Sequence, residues 1–176
     1  NIINSYSDAK IGHVNVIPIE HSKFLVSMGI SNKASGEIAF KSLSAASKDI
    51  IQNKIDCIVT APIDKNTIQN KHFYFNGHTE YFTNLSNENN SLMLMVKDKL
   101  KVGIVTNHIP VNEVSKSLTS VQILKKIELM HQALVTDFNI KNPQIALLGL
   151  NPHSGAMGLI GRAEIEITHP TIIKVK

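Results

Sequence analysis

The sequence has one cysteine, only six prolines and no long hydrophobic run, and charged residues make up just 18% of it. A single thiol, Cys57, cannot close an internal disulfide, so a disulfide scaffold is excluded. Because Cys57 lies in the apolar stretch Ile55–Thr60, the sequence predicts a core thiol in a reducing compartment. The scarcity of Pro and Gly (6 and 9), beside 43% hydrophobic residues, excludes a collagen-like chain, a flexible linker and a disordered tail. The longest apolar runs, Leu92–Val96 and Ile145–Leu150, fall far short of the roughly 20 residues that cross a bilayer. A folded, water-soluble protein without a membrane span is expected. No secretory leader is evident in a sequence that opens at Asn1 rather than Met, and the cytoplasm is the expected location.

At 176 residues the chain has the length of one domain, or of one lobe of a larger protein. Its net charge is +4, with basic residues scattered along the sequence. That pattern argues against a nucleic-acid partner and suits a pocket for a small anionic metabolite, where only the local placement of cations counts.

Apolar periodicity marks several elements. Ala39, Leu43, Ala46 and Ile50 recur at helical spacing, which predicts a helix from Ser35 to about Asn53. Ile55–Thr60 reads as a short buried strand ended by Pro62. Ser91–Val96 and Lys101–Thr106 flank Lys97, Asp98 and Lys99, which predicts an antiparallel hairpin with a tight connection. Thr119 and Gln122 have the spacing of a capping box, and Ile123, Ile127, Met130, Leu134 and Phe138 mark one face of the helix behind it. Gln144–Leu150 reads as another buried strand, and Asn84–Asn90 as a loop. Helix, strand, hairpin, helix and strand in this order predict an α/β layered fold without internal repeats.

In open α/β sheets ligands sit beyond the carboxyl ends of strands. Three polar segments follow apolar runs in this way: Thr60-Ala61-Pro62-Ile63-Asp64-Lys65, Thr106-Asn107-His108-Ile109-Pro110 and Asn151-Pro152-His153-Ser154-Gly155. A fourth polar segment, Gly77-His78-Thr79-Glu80, interrupts an aromatic stretch. Of the eight histidines, His13, His21, His72, His131 and His169 read as ordinary surface or helix residues. His108 and His153 could meet at one edge, where neutral imidazoles would bind a borderline divalent metal, although their spacing matches no local metal motif. For His78 and Thr79 two readings stand side by side. Thr79 would be a helix N-cap behind a left-handed Gly77, or the helix N-terminus would hold a phosphorylated substrate. Lys65 is either a solvated lysine or an anion contact.

Val59-Thr60-Ala61-Pro62-Ile63-Asp64-Lys65, Gly77-His78-Thr79-Glu80, Val105-Thr106-Asn107-His108-Ile109-Pro110 and Gly149-Leu150-Asn151-Pro152-His153-Ser154-Gly155 occur together and in one order. In this the sequence closely resembles the 4-hydroxythreonine-4-phosphate dehydrogenase family, over about Ser35–Pro170. The resemblance implies a layered α/β/α fold with a mixed sheet, like that of isocitrate and isopropylmalate dehydrogenases. It implies two lobes: residues 1–66 would belong to the first, incomplete at its N-terminus, and residues 67–176 to a second, substrate- and metal-binding lobe, incomplete at its C-terminus. It also implies a homodimer whose subunits share each site.

The chemistry implied is oxidation of the hydroxyl of a 4-phosphorylated hydroxythreonine by NAD, or NADP, followed by decarboxylation to an amino-ketone phosphate used to make pyridoxal phosphate. By motif, His78 and Thr79 correspond to substrate-binding residues, His108 and His153 to two of three metal-binding histidines, and Lys65 to the lysine of the family's Thr-x-Pro-x-x-Lys motif. The divalent metal would be zinc, with magnesium or cobalt as alternatives. Imidazoles ligate only when neutral, so activity is expected to fall below about pH 6. No residue corresponds by motif to the cofactor site or to a general base. The family's Gly-Asp-Pro-Ala-Gly turn and its Tyr-His-Asp-Gln-Gly segment, source of the third histidine, do not occur in this sequence. Ala156 and Ala163 stand where family members carry acidic residues, and Asn76 where proline is common. A paralogue acting on 4-phosphorylated threonate or erythronate, and an inactive fragment that binds only anion and metal, are the alternative expectations.

Overall fold

The computed structural model describes residues 1–19, 27–88 and 90–175. His21 lies outside the described residues. The chain divides into two compact units, Asn1–Leu85 and Ser86–Lys176, so the expected lobe boundary at 66/67 falls within the first unit.

The first unit is built on α1 (Lys33–Ile51) and α2 (His78–Leu85). Asn32 caps α1, its side chain accepting the Ser35 N–H at 2.9 Å, which satisfies one of the donors a helix start leaves open. The buried row of α1 is Gly36, Leu43 and Ser47, one side of the stripe read from the sequence, with Ala39 and Phe40 packed beside it. Gly36 is small for a reason: a Cβ there would stand 2.1 Å from the Thr67 carbonyl oxygen, so its absence lets α1 press against the 64–68 turn. Leu43, Ile68, Phe73 and Tyr81 form the core. Phe73 is completely buried and packs edge-on against Phe40 and Phe75 and face-on against Tyr81, with centroids 5.4–6.2 Å apart. The two hydroxyls buried here are satisfied, since Tyr81 donates to Ser47 Oγ at 3.2 Å and Ser47 donates to the Leu43 carbonyl at 2.7 Å.

The second unit begins with the expected hairpin, β1 (Met93–Lys97) and β2 (Leu100–Ile104), paired from Met93↔Ile104 to Lys97↔Leu100. Asp98 takes the left-handed φ of 50° at its tip, a conformation Asp tolerates better than most residues. Next come α3 (Val111–Ser117) and α4 (Ser120–Thr136). Thr119 caps α4, its hydroxyl accepting the Gln122 N–H at 3.2 Å, the expected half of a capping box. Ile123 and Leu134 are the buried residues of α4. The chain then passes without regular structure through Gln144–Leu150, turns left-handed after Pro152, and ends in a single π-type turn (Glu164–Thr168) leading into α5 (His169–Lys174).

Two expectations are corrected. Ile55–Thr60 and Gln144–Leu150 form no ladder among the described residues, whose only sheet is the β1–β2 hairpin, and each contains a bend, at Asp56 and at Leu150. Val59 is accordingly 93% exposed and Leu148 82% exposed. Cys57 is exposed, not a core thiol, because no strand covers its run. The described residues thus combine helices with one antiparallel hairpin, without the expected layered sheet.

Candidate functional site

In the first unit, Lys65 sits in a turn organised by the preceding residue. The Asp64 carboxylate accepts the Ser31 hydroxyl and the N–H groups of Asn66 (2.8 Å) and Thr67 (3.3 Å). These partners, Ser31 foremost, hold its carboxyl below the usual range by stabilising the anion. Lys65 itself is exposed on this turn.

His78 opens α2, which places both His78 and Thr79 in the first helical turn, where N–H groups lack intrahelical acceptors. The expected N-cap at Thr79 is thereby corrected, since the helix starts one residue before it. Gly77 is not left-handed either; the glycines with positive φ are Gly12, Gly29, Gly155 and Gly158. Gly77 is instead buried, with its carbonyl accepting the Tyr81 N–H at 3.2 Å. The half-buried His78 ring stacks on Phe82, and burial pushes its pKa below the ordinary histidine value because the charged imidazolium is desolvated. His78 and Thr79 thus set an imidazole and a hydroxyl in the first turn of α2, whose open N–H groups favour negative charge.

In the second unit, His108 and His153 are both exposed, each on a loop. The two loops leave from one place. Val105 and Thr106, just before His108, and Leu147–Leu150, just before His153, line the same cavity of about 150 Å³, floored by Leu118, Ile123 and Thr168. His153 has φ 50° and ψ 33° and begins a left-handed run that continues through Ser154, Gly155, Ala156 and Met157. Four of these five residues carry a Cβ, so the turn is held against the ordinary preference for right-handed backbone. Pro152 fixes the entry, and Asn151 is tied to Glu164: its N–H donates to Glu164 Oε1 at 2.7 Å and its Nδ2 to Oε2 at 2.9 Å. Those same bonds keep the buried Glu164 carboxyl ionised to below its ordinary value. Sequence reasoning passed over Glu164; the signal was the run of Gly149, Gly155 and Gly161 ahead of one acidic residue.

Two imidazoles on neighbouring loops suit a borderline divalent cation. Among the described residues no group of three or more His, Cys, Asp or Glu could hold a metal ion. The other described histidines are peripheral. His13, His72, His131 and His169 are exposed, with His72 stacked on Phe40.

The family model for the pyridoxal phosphate biosynthetic protein PdxA matches residues 1–176. The chain is 39% identical over 173 residues to the 4-hydroxythreonine-4-phosphate dehydrogenase of Bacteroides thetaiotaomicron, covering 98% of this chain and 48% of that protein. It is 40% identical over 148 residues to the enzyme of the same name from Vibrio vulnificus, covering 84% of this chain and 45% of that protein. The crystal structure of the Klebsiella pneumoniae 4-hydroxythreonine-4-phosphate dehydrogenase superposes with a TM-score of 0.84 at 26% identity, over 99% of this chain and 54% of that one. The chain thus spans about half the length of the relatives it matches.

Proposed function

Because the chain belongs to the PdxA family of pyridoxal phosphate biosynthetic proteins, we propose that it forms about half of a 4-hydroxythreonine-4-phosphate dehydrogenase. The reaction is the oxidation of 4-phosphohydroxy-L-threonine with NAD or NADP, followed by decarboxylation to 3-amino-2-oxopropyl phosphate. The reading includes a homodimer with shared sites, a cytoplasmic location and the layered α/β/α sheet of isocitrate and isopropylmalate dehydrogenases. The observation that carries it is the retention of all four motifs, with the two histidine loops opening from one cavity.

In the first unit, His78 and Thr79 bind the substrate. The neutral imidazole and the hydroxyl offer hydrogen bonds, and the first-turn N–H groups of α2 favour negative charge. Lys65 adds a cation at the end of its turn. In the second unit, His108 and His153 would hold the divalent ion, zinc or otherwise magnesium or cobalt, through their neutral nitrogens. Such an ion, when bound, supplies Lewis-acid polarisation of a hydroxyl or carbonyl oxygen. The nicotinamide cofactor supplies the hydride acceptor, and no residue of this chain is assigned to it.

The test is NADH formation by the purified protein with a divalent metal, on 4-phosphohydroxy-L-threonine and on 4-phosphorylated threonate or erythronate. Faster turnover of the amino substrate supports the reading. Preference for the hydroxy acids would reassign it to the paralogous activity, and no turnover of either would leave a fragment that binds only anion and metal.

A further inference from the structure

Glu164 faces the His153 loop from the start of the π-type turn, and it does so without being near the surface. Its exposure is 6%, and both carboxylate oxygens are engaged by one residue, Asn151. Three glycines let it approach this closely. A Cβ on Gly149 would lie 3.3 Å from Glu164 Oε1, and one on Gly155 would lie 2.8 Å from Oε2 and 2.5 Å from the Gly161 carbonyl oxygen. A Cβ on Gly161 would in turn strike the Asn151 side chain at 2.5–2.9 Å. The carboxylate is therefore caged by Gly149 and Asn151 before His153 and by Gly155 after it. Between those fixed points the backbone runs left-handed, with φ of 50° at His153 and 49° at Ser154. Left-handed backbone is uncommon for residues that carry a Cβ, Ser154 above all, and the clamp at both ends holds it.

We propose that Glu164 is a positioning residue for His153: by gripping Asn151 between the loop's glycines it fixes the left-handed turn that aims the imidazole, and so sets divalent-metal affinity without touching the metal. This rests on the reading of His153 as a ligand. Groups that orient a ligand from behind characteristically change metal affinity by 10- to 100-fold when lost.

The test is a cobalt(II) titration of the purified protein, followed by the visible d–d bands, with zinc competition for the dissociation constant. Glu164→Gln keeps the side chain's size but sets an amide against the Asn151 amide. We expect it to weaken cobalt binding about tenfold or more and to alter the band shape. Asn151→Asp in the Glu164→Gln background restores a donor–acceptor pair, now reversed, and should recover most of the affinity. Wild-type affinity and spectrum in Glu164→Gln would overturn the proposal, as would a loss that the second change fails to rescue. If the single variant does not fold, the double variant is titrated directly, and cobalt binding tenfold or more weaker than wild type then counts against the proposal. His153→Ala separates the two levels. If it binds cobalt like the wild type, the ligand reading itself fails; if it abolishes binding while Glu164→Gln changes nothing, only the positioning role fails.

Discussion

Replacing Gly36 with alanine sets two physical effects against each other. In a helix interior alanine is favoured over glycine by about 1 kcal/mol, so propensity alone expects α1 to be strengthened. The structure expects the reverse. The new Cβ would stand 2.1 Å from the Thr67 oxygen, 2.3 Å from its carbonyl carbon and 2.8 Å from Ile68 N, all backbone atoms. Ordinary contact is about 3.5 Å, so helix and turn must separate by more than about 1 Å. The turn cannot yield cheaply, since Asp64 ties it through Asn66 N–H at 2.8 Å and through its own carbonyl to Ile68 N–H at 3.1 Å. Overpacking of this kind costs about 1–3 kcal/mol and at times more, which outweighs the propensity gain. With a urea slope of about 1–3 kcal/mol per molar, the unfolding midpoint of Gly36→Ala should fall by several tenths molar or more. Ser42→Ala, at an exposed position of α1, should shift it little or slightly upward. A Gly36→Ala midpoint equal to or above wild type would refute the close approach of α1 to the 64–68 turn.

Other outcomes follow from the same contacts. Phe73→Ala empties a site with no exposure and should destabilise the protein by about 3–5 kcal/mol in denaturant titrations; a loss under about 1 kcal/mol would mean that this aromatic cluster is not the core. The folded Asp64 carboxyl titrates below its unfolded value of about 3.9, so its stabilisation is complete above that pH and is lost as pH falls through the folded value. Ser31→Ala should raise the Asp64 pKa seen by carboxyl NMR, and an unmoved titration would dismiss Ser31 as the main cause. The His78 imidazole should titrate below the ordinary histidine value by NMR, and Phe82→Ala, which opens its surroundings, should raise it; a normal or elevated pKa would remove the desolvation argument.

How much was legible in the sequence depends on how local the determinants were. α1, the hairpin and α4 follow from periodicity contained within their own spans, and Asp98 and Thr119 sit where a tight connection and a cap were expected; α1 starts at Lys33 behind Asn32 rather than at Ser35, and α4 ends at Thr136, so Phe138 lies beyond its apolar face. Ile55–Thr60 and Gln144–Leu150 failed as strands because a ladder depends on a partner far away in sequence, and apolar composition cannot supply one. Cys57 was misplaced for the same reason. The left-handed turn at His153 was beyond periodicity altogether, since four of its five residues are not glycine. Its cause lies in Glu164, in the segment that follows. The histidine loops themselves were legible as polar segments ending apolar runs, and their meeting at one cavity is what the fold adds.

The proposed activity is tested most directly by incubating the purified protein with 4-phosphohydroxy-L-threonine, NAD and a divalent metal while following NADH and released carbon dioxide together. Both should appear in equal amounts, and both should be lost on chelation and in His153→Ala. NADH without carbon dioxide, or turnover that survives chelation and the loss of His153, would contradict a metal-assisted oxidative decarboxylation through these loops.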